Sequence, residues 1–212
     1  MACRICETRR PRRYCPGVRA EICSICCGTE REVTVTCPLD CEFLQEARRH
    51  ERTQPIDPES IPNKDIRVTE KFLGDHQELL YFLARTVVNA ALDTPGAVDN
   101  DVREALGALV RTYRTLQSGV FYESRPANPL AAFIFNAVQE EVPRFRTQEQ
   151  ERLGLSTIRD ADLLGLLVFL ERLELTWNNG RKRGRAFIGF LGQFNPSPAD
   201  TGASPASSLI IP

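Results

Sequence analysis

The chain has 212 residues, 42% of them hydrophobic and 26% charged, with a formal net charge of -1. That is enough apolar residue for a real core, and it excludes a wholly disordered or collagen-like chain. No apolar run reaches the length of a membrane helix, and residues 1–13 place no apolar stretch behind their arginines, so a cytoplasmic protein without a secretory leader is expected. The near-neutral total argues against a general electrostatic grip on nucleic acid, and any such grip must be local.

Residues 1–52 form the first expected unit, rich in cysteine and arginine. All eight cysteines of the chain lie between Cys3 and Cys41. Their order is Cys3-x2-Cys6, Cys15, Cys23-x2-Cys26-Cys27, then Cys37-x3-Cys41. Eight cysteines suit either a secreted disulfide framework or a set of metal ligands. The two CxxC pairs favour metal, because such a pair chelates one ion well. Zinc takes four thiolates in a tetrahedron, and eight thiols make two closed sites with none left over. The expected ligands are therefore Cys3, Cys6, Cys15, Cys23, Cys26, Cys27, Cys37 and Cys41, holding two zinc ions. Iron–sulfur clusters also use thiolates, but the spacing matches neither common ferredoxin pattern. The unit contains few large apolar groups, so metal is expected to supply its folding energy.

Within this unit, Cys23 to Gly28 reads as a zinc knuckle with Gly28 at a positive φ. Residues 32–36 alternate apolar and polar, which predicts a strand. Cys37 to Cys41 leads into a short helix through Phe43, Leu44 and Ala47, with Cys41 at its N-terminus, where the dipole favours a thiolate. This order of knuckle, hairpin and ligands at a helix start resembles the treble-clef class of zinc fingers. Residues 37–50 resemble the closing segment of MYND- and HIT-type double zinc fingers, which also open with CxxC and close with C-x3-C and a His. The resemblance covers about fifty residues. It implies a protein- or nucleic-acid-interaction module rather than an enzyme. Two partitions stay open. A treble clef groups Cys23, Cys26, Cys37 and Cys41 and leaves Cys3, Cys6, Cys15 and Cys27. A cross-brace groups Cys3, Cys6, Cys23 and Cys26 and leaves Cys15, Cys27, Cys37 and Cys41. His50 is a ninth candidate donor, its other reading being an exposed helix residue.

Residues 53–64, with three prolines, read as a linker. Residues 65–194 follow a 3.6-residue rhythm and predict a bundle of about five helices. The first runs over Phe72, Leu73, His76, Leu79, Leu80, Leu83, Val87 and Ala91 and stops at Asp93-Thr-Pro-Gly96. The second carries Val102, Leu106, Leu109 and Tyr113, with Asp99 as its cap. Asn128-Pro129 opens the third, which is expected to kink or end before Pro143. Asp160 opens the fourth, apolar on nearly every side from Leu163 to Leu170 and so the most buried. Asn179-Gly180 ends it. A short fifth helix follows from about Arg185. The fold class is thus mainly α, a small cysteine-rich double zinc-binding module followed by a helical bundle.

Two basic clusters stand out. Arg9, Arg10, Arg12 and Arg13 precede Tyr14, a combination that suits phosphate contact and base stacking. With two zinc ions on eight thiolates, however, residues 1–52 carry a net charge of about -2. The second cluster, Arg181, Lys182, Arg183 and Arg185, follows a helix C-terminus, where cations are favoured anyway. No phosphate loop, HExxH, GxSxG or GxGxxG motif occurs. Histidine occurs only at His50 and His76, and His76 reads as a packed residue. Residues 195–212 form a Pro/Ser/Ala-rich tail ending in Leu209, Ile210, Ile211 and Pro212. That apolar terminus either folds back on the bundle or docks on a partner. The expected function is a non-enzymatic adaptor with structural zinc. A nucleic-acid-binding regulator using Arg9–Arg13 is the first alternative, and an enzyme with a site in the bundle the second.

Overall fold

The computed structural model describes residues 2–51, 57–120, 122–155 and 158–194. Their strands are β1 (Arg13–Cys15) and β2 (Ala20–Ile22). Eight α-helices follow: α1 (Ser24–Glu30), α2 (Glu42–His50), α3 (Glu70–Asp75), α4 (Gln77–Asp93), α5 (Asp99–Gln117), α6 (Pro129–Leu153), α7 (Asp160–Trp177) and α8 (Ala186–Gly192). The architecture is mainly α, a small cysteine-rich module followed by a helical bundle, as the sequence predicts. The tail residues Leu209, Ile210, Ile211 and Pro212 lie outside the described residues, as does part of the expected linker.

Helix α7 is the axis of the bundle. Leu163, Leu164, Leu166, Leu167, Val168 and Leu170 are all buried, which follows from an apolar surface on every side. Helix α5 packs most extensively against α7, α6 against α5 and α4, and α8 against α4. Gly165 lets an aromatic reach the α7 backbone, since a Cβ there would lie 2.7 Å from Phe72 Cζ.

Helix ends follow local chemistry with three departures. Asn128 Oδ1 accepts from the Leu130 N–H at 3.0 Å and Pro129 takes the first helical position, as expected. Of the kink or end expected before Pro143, the end is absent, and Pro143 lies inside α6. Val142 is buried and Phe145 stacks on Phe82 with ring centroids 4.2 Å apart. Packing on both flanks carries the helix through to Leu153, and Gly154 stops it at φ +79. The first predicted helix is divided at His76, whose φ of -118 and ψ of 26 separate α3 from α4. Asp99 does not cap its own helix. Asp101 Oδ2 accepts from the Val98 N–H at 2.8 Å. Asp99 instead accepts from the N–H groups of Phe187 and Ile188, each at 3.0 Å, and so starts α8.

In the cysteine module the strand expected over residues 32–36 is not formed, apart from one bridge between Arg31 and Val35. Glu32 adopts a left-handed φ of 53. The N–H groups of Val33, Thr34 and Val35 then turn back onto the Glu30 carbonyl at 3.1, 3.2 and 3.1 Å. Alternation here reflects a tight turn. The hairpin lies upstream, between the two CxxC pairs, with Arg13 opposite Ile22 and Cys15 opposite Ala20.

The same turn docks the module on the bundle. The fully buried Glu32 carboxylate accepts from Arg48 Nη2 at 2.9 Å, Asn179 Nδ2 at 2.9 Å and the Arg185 N–H at 3.0 Å. Its carbonyl accepts from the Arg183 N–H at 2.7 Å. Arg181 Nη1 donates to the Arg31 carbonyl at 2.8 Å, and Arg183 Nη1 donates to Thr36 Oγ1 at 2.6 Å. Gly189 of α8 leaves room for this seam, since a Cβ there would lie 2.5 Å from Arg48 Nη1.

Candidate metal centre

Four cysteines meet in the module. A turn carries Cys3 and Cys6, closed by the Cys3 N–H on the Arg9 carbonyl and the Glu7 N–H on the Cys3 carbonyl, each at 2.8 Å. Cys23 follows β2 and is the N-cap of α1, and Cys26 sits one helical turn on. The sulfur atoms of Cys3, Cys6, Cys23 and Cys26 all lie within 4.8 Å of one another. A tetrahedral ion with metal–sulfur bonds of about 2.3 Å needs sulfurs about 3.8 Å apart, a spacing compatible with this cluster. The donor set is pure thiolate, which suits a soft or borderline ion. Of the two open partitions, the first set of the cross-brace is the one brought together; the treble-clef grouping of Cys23 and Cys26 with Cys37 and Cys41 is not.

The local electrostatics fit a cation. Burial and the neighbouring Cys23, Cys6 and Cys3 thiols push Cys26 up to about 12. The Thr8 hydroxyl and N–H, with the Arg9 N–H, pull Cys6 down to about 5. Four thiols this close resist joint ionisation until a positive ion compensates them. Backbone donors already aim at sulfur: the Cys23 N–H reaches Cys3 Sγ at 3.2 Å and the Cys26 N–H reaches Cys23 Sγ at 3.4 Å. The buried cluster around them consists of Cys3, Cys15, Ile22, Cys23 and Cys26. Ile22 is its one residue other than cysteine, so apolar burial alone is a weak source of stability here.

The other four cysteines face elsewhere. Consecutive helical residues point about 100° apart, so α1 turns Cys27 away from Cys26. Cys15, Cys27, Cys37 and Cys41 line one small cavity together with Arg13, Arg31, Ile22, Phe43 and Leu44. Cys41 is the N-cap of α2, as expected. Gly28 lies inside α1 with no positive φ, so the expected knuckle glycine is an ordinary helical residue. His50 is exposed and pairs with Glu46, its Nε2 3.1 Å from Oε1, on the outer face of α2.

The basic clusters are partly committed within the fold. Arg13 Nη1 lies 3.7 Å from Cys27 Sγ, and its guanidinium covers the Phe43 ring at 4.1 Å from the centroid. The nearby Cys23 and Cys6 thiols raise the pKa of Arg9, which is itself exposed. Arg10, Arg12 and Tyr14 remain exposed. Arg181, Arg183 and Arg185 belong to the docking seam, where the sequence suggests only a favourable helix terminus. His76 packs on Phe72 with ring centroids 4.5 Å apart, its Nδ1 2.9 Å from the Phe72 carbonyl.

Sequence reasoning missed Glu32, Asn179 and Gly189. Nothing local marks Glu32, which sits in an alternating stretch, and its partners lie far along the chain. Comparisons with protein-family models, curated proteins and solved structures find no match.

Proposed function

We propose that this chain is a non-enzymatic adaptor, a zinc-stabilised module fixed to a helical bundle, that binds a protein partner in the cytoplasm. The observation that carries the reading is the closed four-thiol cluster of Cys3, Cys6, Cys23 and Cys26. A site with four protein ligands has no open position for substrate, which is the pattern of structural zinc. The reading takes zinc as the ion and two ions per chain as the stoichiometry. A protein partner is favoured over nucleic acid because Arg13 of the basic patch is engaged on Cys27 and Phe43 and the module's net charge with two zinc ions is about -2. The module also exposes Tyr14, Ile25 and Val33, at 55%, 54% and 39%, large apolar groups of the kind that anchor protein interfaces.

Two measurements test it. Metal analysis of the purified chain gives two zinc per chain; a metal-free chain with four disulfides overturns the reading. A crosslinked partner lost on Ile25→Asp, with metal content unchanged, supports the adaptor. Tight binding of single-stranded RNA or DNA that weakens steeply with salt, and is lost on charge reversal at Arg10 and Arg12, favours the nucleic-acid alternative instead.

A further inference from the structure

The second group of thiols lies within the module, and two residues lining its cavity, Arg31 and Cys37, belong to the 31–37 segment that meets the bundle. Cys15 comes from the end of β1, Cys27 from α1, Cys37 from the segment after the Glu32 turn and Cys41 from the cap of α2. All four line one cavity, walled by Ile22, Phe43 and Leu44. Two guanidiniums approach Cys27 Sγ, Arg13 Nη1 at 3.7 Å and Arg31 Nη2 at 3.8 Å. Four thiolates around a divalent ion carry a net charge of about -2, and two guanidiniums cancel it. Cations placed on a buried thiol are the compensation such a centre needs.

This group is tied to the docking seam through the 31–37 segment. Glu32 follows Arg31, whose Nη2 lies 3.8 Å from Cys27 Sγ, and its turn leads directly into Cys37. The Glu32 carboxylate accepts from Arg48, Asn179 and Arg185, and its carbonyl from Arg183. Thr36, adjacent to Cys37, accepts from Arg183. Arg31, whose side chain reaches Cys27, gives its carbonyl to Arg181. The 31–37 segment, which carries Arg31 and Cys37 into the cavity, is therefore also the segment that holds the bundle.

We propose that Cys15, Cys27, Cys37 and Cys41 bind a second thiolate-coordinated metal ion, and that this ion fixes the cysteine module to the bundle while the first ion folds the module. The proposal rests on the zinc reading of the first cluster. It makes docking a metal-dependent property: with the second ion bound, the turn at Glu32 is held in its left-handed form; without it, the 31–37 segment is released from residues 179–185. By linkage, weakening the seam must also weaken the second ion's affinity by the same factor.

The experiment is a cobalt(II) and zinc(II) titration of the full-length chain, followed by amide hydrogen exchange. The wild-type chain binds two equivalents with the intense thiolate-to-cobalt absorption of sulfur sites. The Cys15→Ser/Cys37→Ser chain retains one. Its amides at 31–36 and 181–185 exchange faster, while those of α5 and α7 and of the turn around Cys3 and Cys6 stay protected. Glu32→Ala keeps both sites but lowers affinity for the second ion about tenfold or more, leaving the first unchanged. One equivalent in the wild type, or a second equivalent that survives the Cys15/Cys37 substitution, overturns the second site. A seam whose exchange ignores loss of the second ion overturns the coupling. A wild-type chain that binds no metal defeats the zinc reading itself, and the two failures are thereby distinct.

Discussion

Glu32 combines three properties that rarely meet in one residue: a left-handed backbone, complete burial and a negative charge. Left-handed φ in a residue with a side chain persists only where surroundings over-determine it. Three donors on the carboxylate and one on the carbonyl supply that determination. Glu32→Ala leaves Arg48 and Asn179 without their shared acceptor, and removing one partner of a buried pair costs about 3–5 kcal/mol. Chemical denaturation of the full-length protein measures it. Asp99 is the second buried acid with a structural task. Burial pushes its carboxyl up to about 6, opposing the Ile188 and Phe187 N–H groups that favour the anion. The sign follows from the folded value lying above the unfolded one. The contribution is fully present below about pH 4 and is lost as pH rises through about 6. Thermal melts therefore show wild type losing stability relative to Asp99→Asn between pH 4 and 7. A constant difference between the two contradicts the assignment.

Helices carry most of what could be read in advance, because their rules are local. A hydrogen bond four residues back and an apolar stripe every 3.6 residues are visible in any stretch of chain. The run from Leu163 to Leu170 announces a buried axis, and α7 is that axis. Asn128 and Pro129 announce a helix start, and the Asn128 Oδ1 bond to the Leu130 N–H makes it. Asn128→Ala should cost about 1 kcal/mol, the usual worth of such a cap, and equilibrium unfolding in urea checks it. Asn128 Nδ2 also donates to Asp101 Oδ1 at 2.5 Å, so Ala removes more than Ser does. The misreadings are just as informative. Proline at 143 reads as a kink or an end, yet packing at Val142 and Phe145 carries the helix through despite the hydrogen bond the proline removes. Alternation over residues 32–36 reads as a strand, but among the described residues no strand pairs with it, and a turn satisfies the N–H groups of Val33, Thr34 and Val35 on Glu30.

The whole molecule joins two parts with different interiors. The bundle buries a continuous core from Leu79 to Leu191. The module buries mostly cysteine, and the proposed metal is what orders it. Chelation should therefore melt residues 2–51 and spare the bundle. Circular dichroism then shows a cooperative helical transition that survives, with only a modest loss of signal. The single tryptophan reports the seam. Trp177 stacks on Phe190 with ring centroids 4.0 Å apart and lines a groove shared with Leu39 and Arg48 of the module. Its emission should shift to the red on chelation, as the module's wall of that groove withdraws. An unchanged spectrum after complete metal loss would show the seam to be independent of the ion.

Sequence alone determined the number of thiols, their grouping in one short segment and the helical character of the rest. Ligand spacing and helix periodicity act over a few residues, and a single chain displays them without folding. Only the tertiary structure decided which thiols share a site, because the direction of a side chain depends on the element beneath it: Cys26 and Cys27 are neighbours in sequence and diverge on one helix. It alone placed Asp99 at the start of a helix 88 residues away and turned Glu32 toward Asn179, 147 residues on. It also converted Arg181, Arg183 and Arg185 from a surface cluster into a docking seam. Contacts over such distances form when apolar surfaces bring remote segments together, and no local pattern encodes them.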